Sequence, residues 1–142
     1  MVHVSDAEKK LRYDVVKLLE PICGSPLENI VGDGGDPDVY CVAGFVELKV
    51  AERPKKKSTR VDIAVRPAQR LWLKKWRMSG GRAWTLTLLE STWLLHEGHW
   101  ASECLGRVDE ATLRENAIAV WERKPTSSEL ISALTQRLPR IH

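Results

Sequence analysis

The amino-acid sequence predicts an α/β domain in which helices pack on a mixed β-sheet. Two segments carry apolar residues at helical spacing, and two others alternate as strands and are rich in Val, Leu, Trp, Phe or Tyr. At 142 residues, 43% of them hydrophobic, the chain is long enough to bury one sizeable core. The element order through residue 89 is α-β-β-β-α-β.

The first helix is predicted to run from Asp6 to Glu20. Ser5 and Glu8 have the spacing of a capping box, and Pro21 ends the helical pattern. The apolar face of this helix consists of Leu11, Val15, Leu18 and Leu19. Leu27 to Val31 follows as a short strand candidate, and the glycine-rich stretch after it is predicted to be a loop.

The segment GDPDVYCVAGFVELKV is predicted to be a β-hairpin. Asp38 to Val42 and Phe45 to Val50 form its strands, and Ala43-Gly44 forms its turn. A polar, basic loop follows, and then a helix from Pro67 to Ser79 that two glycines close. Ala83 to Leu89 alternates as the next strand.

The helix from Pro67 is predicted to be amphipathic. Its inward side is expected to carry Ala68, Leu71, Trp72 and Trp76. Its outward side is expected to be basic, with Arg70, Lys74 and Arg77.

Residues 91–142 are predicted to form a C-terminal helical extension that packs on the core of residues 1–90 within the same domain. Trp93 to His96 is a strand candidate, and Glu110 to Arg123 and Ser128 to Leu138 are predicted helices. The tryptophans are interpreted as core residues, although Trp93 or Trp100 could stack on an unpaired base. His96 and His99 are interpreted as ordinary surface or partly buried residues.

Three cysteines, Cys23, Cys41 and Cys104, are widely spaced and form no CxxC motif, which argues against a disulfide framework or a zinc site. No apolar run approaches the roughly 20 residues of a membrane span, and the N-terminus lacks the apolar core of a signal peptide. We therefore expect a soluble, cytoplasmic protein that does not associate with membranes.

Positive charge is concentrated in one segment. The chain has 22 Lys and Arg against 19 Asp and Glu, so its net charge of +3 does not by itself identify a nucleic-acid binder. Between Arg53 and Arg82, however, Asp62 is the single acid among many basic residues. A solvated loop would explain this composition, but its position after the charged strand favours contacts with phosphates. The candidate DNA-contacting residues are Lys55, Lys56, Lys57, Arg60, Arg66, Arg70, Lys74 and Arg77.

Glu47 and Lys49 lie on one side of a predicted strand, because side chains alternate along it. A half-exposed ion pair would explain them. Asp38, on the paired strand, brings a second carboxylate close, and a divalent cation would relieve the repulsion between the two. Magnesium fits such oxygen ligands, to which the Leu48 carbonyl could add. Lys49 would then orient or deprotonate a water and stabilise charge on a phosphate.

These motifs resemble the PD-(D/E)xK nuclease superfamily, and more narrowly its VRR-Nuc and Holliday-junction-resolvase-like branches. Pro37-Asp38 matches the P-D motif, and Glu47 to Lys49 matches the E-x-K motif. Gln69 matches a glutamine on the following helix, and Glu8 is the best match to a glutamate in the first helix. The resemblance covers about residues 5 to 89.

The resemblance implies a restriction-endonuclease-like core and hydrolysis of phosphodiester bonds in DNA with Mg²⁺, or with Mn²⁺ as its substitute. It implies a structure-selective or weakly sequence-specific endonuclease that acts in bacterial or phage DNA processing, recombination or repair. A homodimer is compatible with this resemblance. A catalytically inactive nucleic-acid-binding or assembly module with the same fold is the alternative.

Several assignments stay open at this stage. Asp36 competes with Asp38 as the ligand, although Asp36 is typical of a turn. Glu8 could serve only as a capping-box residue, and Glu20 is a lesser candidate for the same site. Gln69 could be an ordinary surface residue of its helix.

Overall fold

The structure, a computed structural model, describes residues 6–23 and 39–141 and has an α/β architecture. The described helices are α1 (Asp6–Cys23), α2 (Pro67–Met78), α3 (Gly98–Cys104), α4 (Glu110–Glu115) and α5 (Ser127–Leu134). The described strands are β1 (Val39–Cys41), β2 (Gly44–Ala51), β3 (Ala83–Leu89), β4 (Thr92–Glu97) and β5 (Ala119–Trp121). The predicted strand at residues 27–31 lies outside the described residues.

The five described strands form one mixed sheet in the order β1-β2-β3-β4-β5. β2 and β3 are parallel, and the other neighbouring pairs are antiparallel. A parallel pair needs a crossover connection, which the segment containing α2 supplies. The predicted mixed sheet flanked by helices is therefore confirmed at the level of the α/β class.

Helices cover both faces of this sheet. On one face, α1 and α5 bury Val46, Leu48 and Trp84 in a common core cluster. On the other face, the loop before α2, together with α3 and α4, packs against Ala51, Leu89 and other apolar residues. Because Glu47 and Lys49 alternate with Val46 and Leu48, they point to this second face.

The hairpin turn differs by one residue from the prediction. Cys41 pairs with Gly44, so the turn consists of Val42 and Ala43 and Gly44 begins β2. Gly44 has a φ of +124°, and a Cβ there would lie 2.5 Å from the carbonyl oxygen of Arg82. A glycine is required because the backbone leaves the turn in a left-handed conformation against another backbone.

The predicted bounds of the first and last helices were also wrong. α1 continues through Pro21 to Cys23. Pro21 lies in the last turn of α1, where its missing N–H removes one helical hydrogen bond but does not end the helix. α5 ends at Leu134 rather than Leu138, with Thr135 as its C-cap.

The predicted helix over residues 110–123 is replaced by a short helix and a strand. α4 ends at Glu115 with Asn116 as its C-cap, and β5 then pairs with β4, placing Val120 opposite Leu94. Strand pairing at the sheet edge overrides the helical spacing of the apolar residues. α3, which the sequence did not predict, begins where the Glu97 side chain accepts hydrogen bonds from two backbone N–H groups.

The orientation predicted for α2 was wrong in part. Its buried residues are Gln69, Leu73 and Arg77, whereas Leu71 and Trp76 are 53% and 37% exposed. Gln69 and Arg77 can be buried because their polar atoms form hydrogen bonds with other parts of the chain, as described below.

None of the described helices is long and apolar enough to cross a membrane.

Candidate active site

A network of buried polar groups connects β2 to the start of α2. Gln69 Nε2 donates a hydrogen bond to Glu47 Oε1 at 2.6 Å. Glu47 is only 3% exposed and Gln69 only 6%. A carboxylate this deeply buried requires hydrogen-bonding partners, so Gln69 has a defined role in the fold. It is not an ordinary surface residue of its helix.

Lys49 is held in the same network by oxygen atoms. Its ammonium group donates to the Ala64 carbonyl at 2.8 Å and to Gln69 Oε1 at 2.9 Å. It also forms an ion pair with Glu47 Oε1 at 3.5 Å, and its side chain is 12% exposed. The half-exposed ion pair considered from the sequence is therefore not what the structure contains. Lys49 is fixed at the edge of a buried site and retains limited access to solvent.

The helix start positions Gln69. Pro67 occupies the first turn of α2, where its missing N–H costs nothing. The backbone N–H of Arg66 donates to Gln69 Oε1 at 3.0 Å, so the amide is oriented by the backbone as well as by Lys49. With its oxygen receiving two donors, Gln69 directs its NH₂ group at Glu47. Neither the Arg66 N–H nor the Ala64 carbonyl was identifiable from the sequence.

The sheet face beside Glu47 and Lys49 carries further polar side chains. Thr85 pairs with Glu47 and Thr87 pairs with Lys49 in the parallel ladder, so their side chains share this face. Both hydroxyl oxygens are buried without a hydrogen-bonding partner among the described residues. These two oxygens add uncharged oxygen donors beside the carboxylate.

His96 completes the row across the sheet, since it pairs with Thr85 in β4. It is fully buried, which corrects the expectation of a surface or partly buried residue. One ring nitrogen, Nε2, lies 2.8 Å from the Leu113 carbonyl and must donate to it. The ring also stacks on Trp100 with centroids 4.7 Å apart. Burial lowers the pKa of His96 to about 4, so its imidazole is neutral near pH 7.

The other predicted site residues are Asp38, Leu48 and Glu8, with Asp36 and Glu20 as alternatives. Asp38 and its competitor Asp36 lie outside the described residues, although Asp38 directly precedes Val39, which pairs with the residue before Glu47. The Leu48 side chain packs on the opposite face, but the ligand atom predicted for this residue is its backbone carbonyl, which lies in β2 between Glu47 and Lys49. Glu8 and Glu20 are exposed on α1, a helix that packs on that opposite face. Their roles remain predictions.

Most of the predicted basic surface is exposed. The exposed members are Lys55, Lys56, Lys57, Arg60, Arg66 and Lys74. All but Lys74 lie on the segment between β2 and α2 whose later part supplies the Ala64 carbonyl to Lys49. The exposed cations therefore follow directly on the strand that carries Glu47 and Lys49.

Arg70 and Arg77 do not belong to that surface, and their predicted outward orientation was wrong. Arg77 is 4% exposed and donates to Glu97, to the Gly81 carbonyl and to the Pro139 carbonyl. Arg70 donates to the carbonyls of Ser102 and Leu105. Burial lowers the pKa of Arg70, although a guanidinium stays charged. Both guanidinium groups are used to hold α2 against later parts of the chain.

Side chains that commonly ligate metals, carboxylates included, do not cluster among the described residues. In that part of the chain, no group of three or more His, Cys, Asp and Glu side chains could hold a metal ion. Cys41 and Cys104 are free thiols. Trp93 is buried and therefore not placed to stack on a base, whereas Trp100 is half-buried and stacks on His96.

Comparisons of the chain with protein-family models, with curated proteins and with solved structures found no match.

Proposed function

We propose that this protein is a metal-dependent DNA endonuclease of the PD-(D/E)xK type. The observation that carries the proposal is the network in which Gln69 joins Glu47 to Lys49. The resemblance relates these three residue types through separate motifs, and the fold brings their side chains within hydrogen-bonding distance. Burial between sheet and helix holds them in a fixed geometry, which a catalytic site requires.

The donor atoms near Glu47 suit a hard cation. Glu47 supplies a carboxylate and Thr85 a hydroxyl that has no hydrogen-bonding partner among the described residues, and both are oxygen ligands of the kind that Mg²⁺ and Mn²⁺ prefer. Glu47 and Asp38 would hold the ion, which would supply positive charge to neutralise the scissile phosphate.

Lys49 is the residue we assign to the reacting water. Its ammonium is anchored by Ala64 and Gln69 but is not fully enclosed. From that position it can orient a water for in-line attack on phosphorus and stabilise negative charge on the phosphate oxygens. Gln69 is a positioning residue, because it acts on Glu47 and Lys49 rather than on the substrate.

The exposed cations from Lys55 to Arg66 are assigned to the DNA backbone. Contacts from such side chains fix the position of the duplex without reading its sequence. This assignment agrees with a structure-selective or weakly sequence-specific enzyme.

An inactive DNA-binding module is the competing function. It is favoured by the deep burial of Glu47, because a 3% exposed carboxylate already paired with Gln69 and Lys49 can serve a purely structural role. The two functions differ in metal binding, since a binding module needs no cation at Glu47.

Incubation of the purified protein with plasmid, branched and single-stranded DNA in Mg²⁺ or Mn²⁺ tests the proposal. We expect cleavage of at least one substrate, lost in Lys49→Ala and retained in the control Lys124→Ala, which removes an exposed lysine outside the proposed DNA-contacting segment. Cleavage that survives Lys49→Ala would reject the mechanism. No cleavage, with salt-sensitive DNA binding and no metal binding by calorimetry, would establish the inactive module instead.

A further inference from the structure

Four aromatic side chains form a continuous cluster at one end of β2, here called the aromatic cluster: Tyr40, Phe45, Trp72 and Trp76. Phe45 lies at its centre, with ring centroids 4.3 Å from Tyr40 and 4.6 Å from Trp72. Trp72 and Trp76 stack with an interplanar angle of 12°. Tyr40 and Trp76 remain 39% and 37% exposed, so the cluster is not closed off as a core.

The backbone holds Trp76 in this exposed position. Its Nε1–H donates to the Arg82 carbonyl at 3.0 Å. A Cβ at Gly81 would lie 2.3 Å from the same indole nitrogen, so only glycine allows the ring to rest there. A partly exposed indole with a fixed orientation is pre-organised for contact with a flat partner.

The cluster borders the candidate active site on both elements that build it. Phe45 precedes Glu47 by two residues on the same side of β2, which is about 7 Å along a strand. Trp72 lies three residues, or about one turn, beyond Gln69 on α2, and Trp76 lies seven residues, or about two turns, beyond it. The aromatic surface therefore continues directly from the Glu47 and Gln69 side chains.

The α2 side of the cluster is positively charged. The stretch from Pro67 to Arg82 contains no Asp or Glu. Lys74 and Lys75 are exposed on the outer side of α2, and Arg66 is exposed at its start. Aromatic rings interleaved with exposed cations match the two parts of a single-stranded nucleic acid, its base faces and its phosphates.

We propose that the aromatic cluster is a stacking platform for unpaired bases of a nucleic acid strand that leads into the candidate active site. The inference rests on the proposed function, since it takes nucleic acid to be the ligand. It adds a substrate class to that function: DNA in which unpaired nucleotides adjoin the scissile phosphate. Phosphates of the same strand are contacted by Lys75 and its neighbours.

Fluorescence anisotropy in EDTA tests the platform without metal-dependent cleavage. The probes are a fluorescein-labelled single-stranded 12-mer of thymidine and a blunt 12-base-pair duplex, each about as long as one nucleic-acid-binding site. We expect Trp76→Ala to weaken binding of the single strand about tenfold and to leave duplex binding within about twofold, because stacking on one base is lost. Trp76→Phe keeps a ring and is expected to bind nearly as the wild type does.

Tyr13→Ala is the matched control, because Tyr13 is an aromatic residue 63% exposed on α1 and outside the cluster. It is expected to change neither affinity. An equal loss for single strand and duplex in Trp76→Ala, or no loss for either, would overturn the platform. Conversion of a dimer to a monomer by Trp76→Ala in light scattering, with DNA binding unchanged, would assign the cluster to self-association and also overturn it.

The two proposals fail separately. Single-strand binding that depends on Trp76 in a protein without cleavage in Mg²⁺ would leave the platform standing and reject the nuclease. Cleavage that depends on Lys49, with no effect of Trp76→Ala on either probe, would do the reverse.

Discussion

Replacing Gln69 with leucine is expected to lower the free energy of unfolding by about 3 kcal/mol. The substitution removes the 2.6 Å hydrogen bond to Glu47 and the 2.9 Å bond from Lys49, both of them to charged groups. Bonds of this kind contribute roughly 1.5–3 kcal/mol each, or about 4 kcal/mol together. The apolar side chain at a 6% exposed position offsets about 1 kcal/mol of that loss.

Urea unfolding followed by tryptophan fluorescence measures this change, and the melting temperature should fall by about 10 °C. Gln136→Leu makes the same replacement at an exposed residue and is expected to change stability by less than about 0.5 kcal/mol. If the two variants have the same stability, Gln69 does not support the buried charges and the network is not the organising feature of the site.

Three further outcomes are expected from the structure. In urea unfolding, Arg77→Met should destabilise the protein by about 3–5 kcal/mol, because the Glu97 side chain, only 12% exposed, loses its guanidinium partner; Arg77→Lys should not restore the loss. Burial lowers the pKa of His96 from 6.5 to about 4, so between these pH values the unfolded chain binds a proton that the folded chain does not. The free energy of unfolding, measured by denaturant titration, should therefore fall by about 3 kcal/mol from pH 6.5 to pH 4. The fall should be smaller in His96→Gln. Gly106 and Gly80 both have positive φ, but a Cβ at Gly106 would lie 2.5 Å from the Ile63 carbonyl oxygen, whereas a Cβ at Gly80 would meet open space. Calorimetry should therefore show a larger loss of stability for Gly106→Ala than for Gly80→Ala, which should cost only about 1–2 kcal/mol.

The parts of the fold that could be predicted are those that depend on local signals. Pro67 identified the start of α2, and alternation identified β3 and the two sides of β2. Glu47, Lys49 and Gln69 could be singled out because charged residues in an apolar strand and a glutamine at a helix start are unusual positions. Their grouping in space agrees with that reading.

The parts that could not be predicted depend on distant partners. Arg77 is polar and was assigned to the outside, yet Glu97 and the Pro139 carbonyl, remote in sequence, accept its hydrogen bonds in the interior. Trp76 was assigned to the inside, yet Gly81 and Arg82 fix it at the surface. Residues 119–121 form a strand because β4 offers an open edge, which the helical spacing of their apolar side chains does not reveal.

The rate of DNA cleavage in Mg²⁺ by Glu47→Gln protein tests the central claim most directly. Asp62→Asn is the matched control, since it neutralises an exposed carboxylate of the loop before α2. We predict that the wild type and Asp62→Asn cleave at equal rates and that Glu47→Gln, although folded, cleaves at least about 100-fold more slowly. Cleavage by Glu47→Gln at the wild-type rate would contradict the assignment of the Glu47, Lys49 and Gln69 network as the active site.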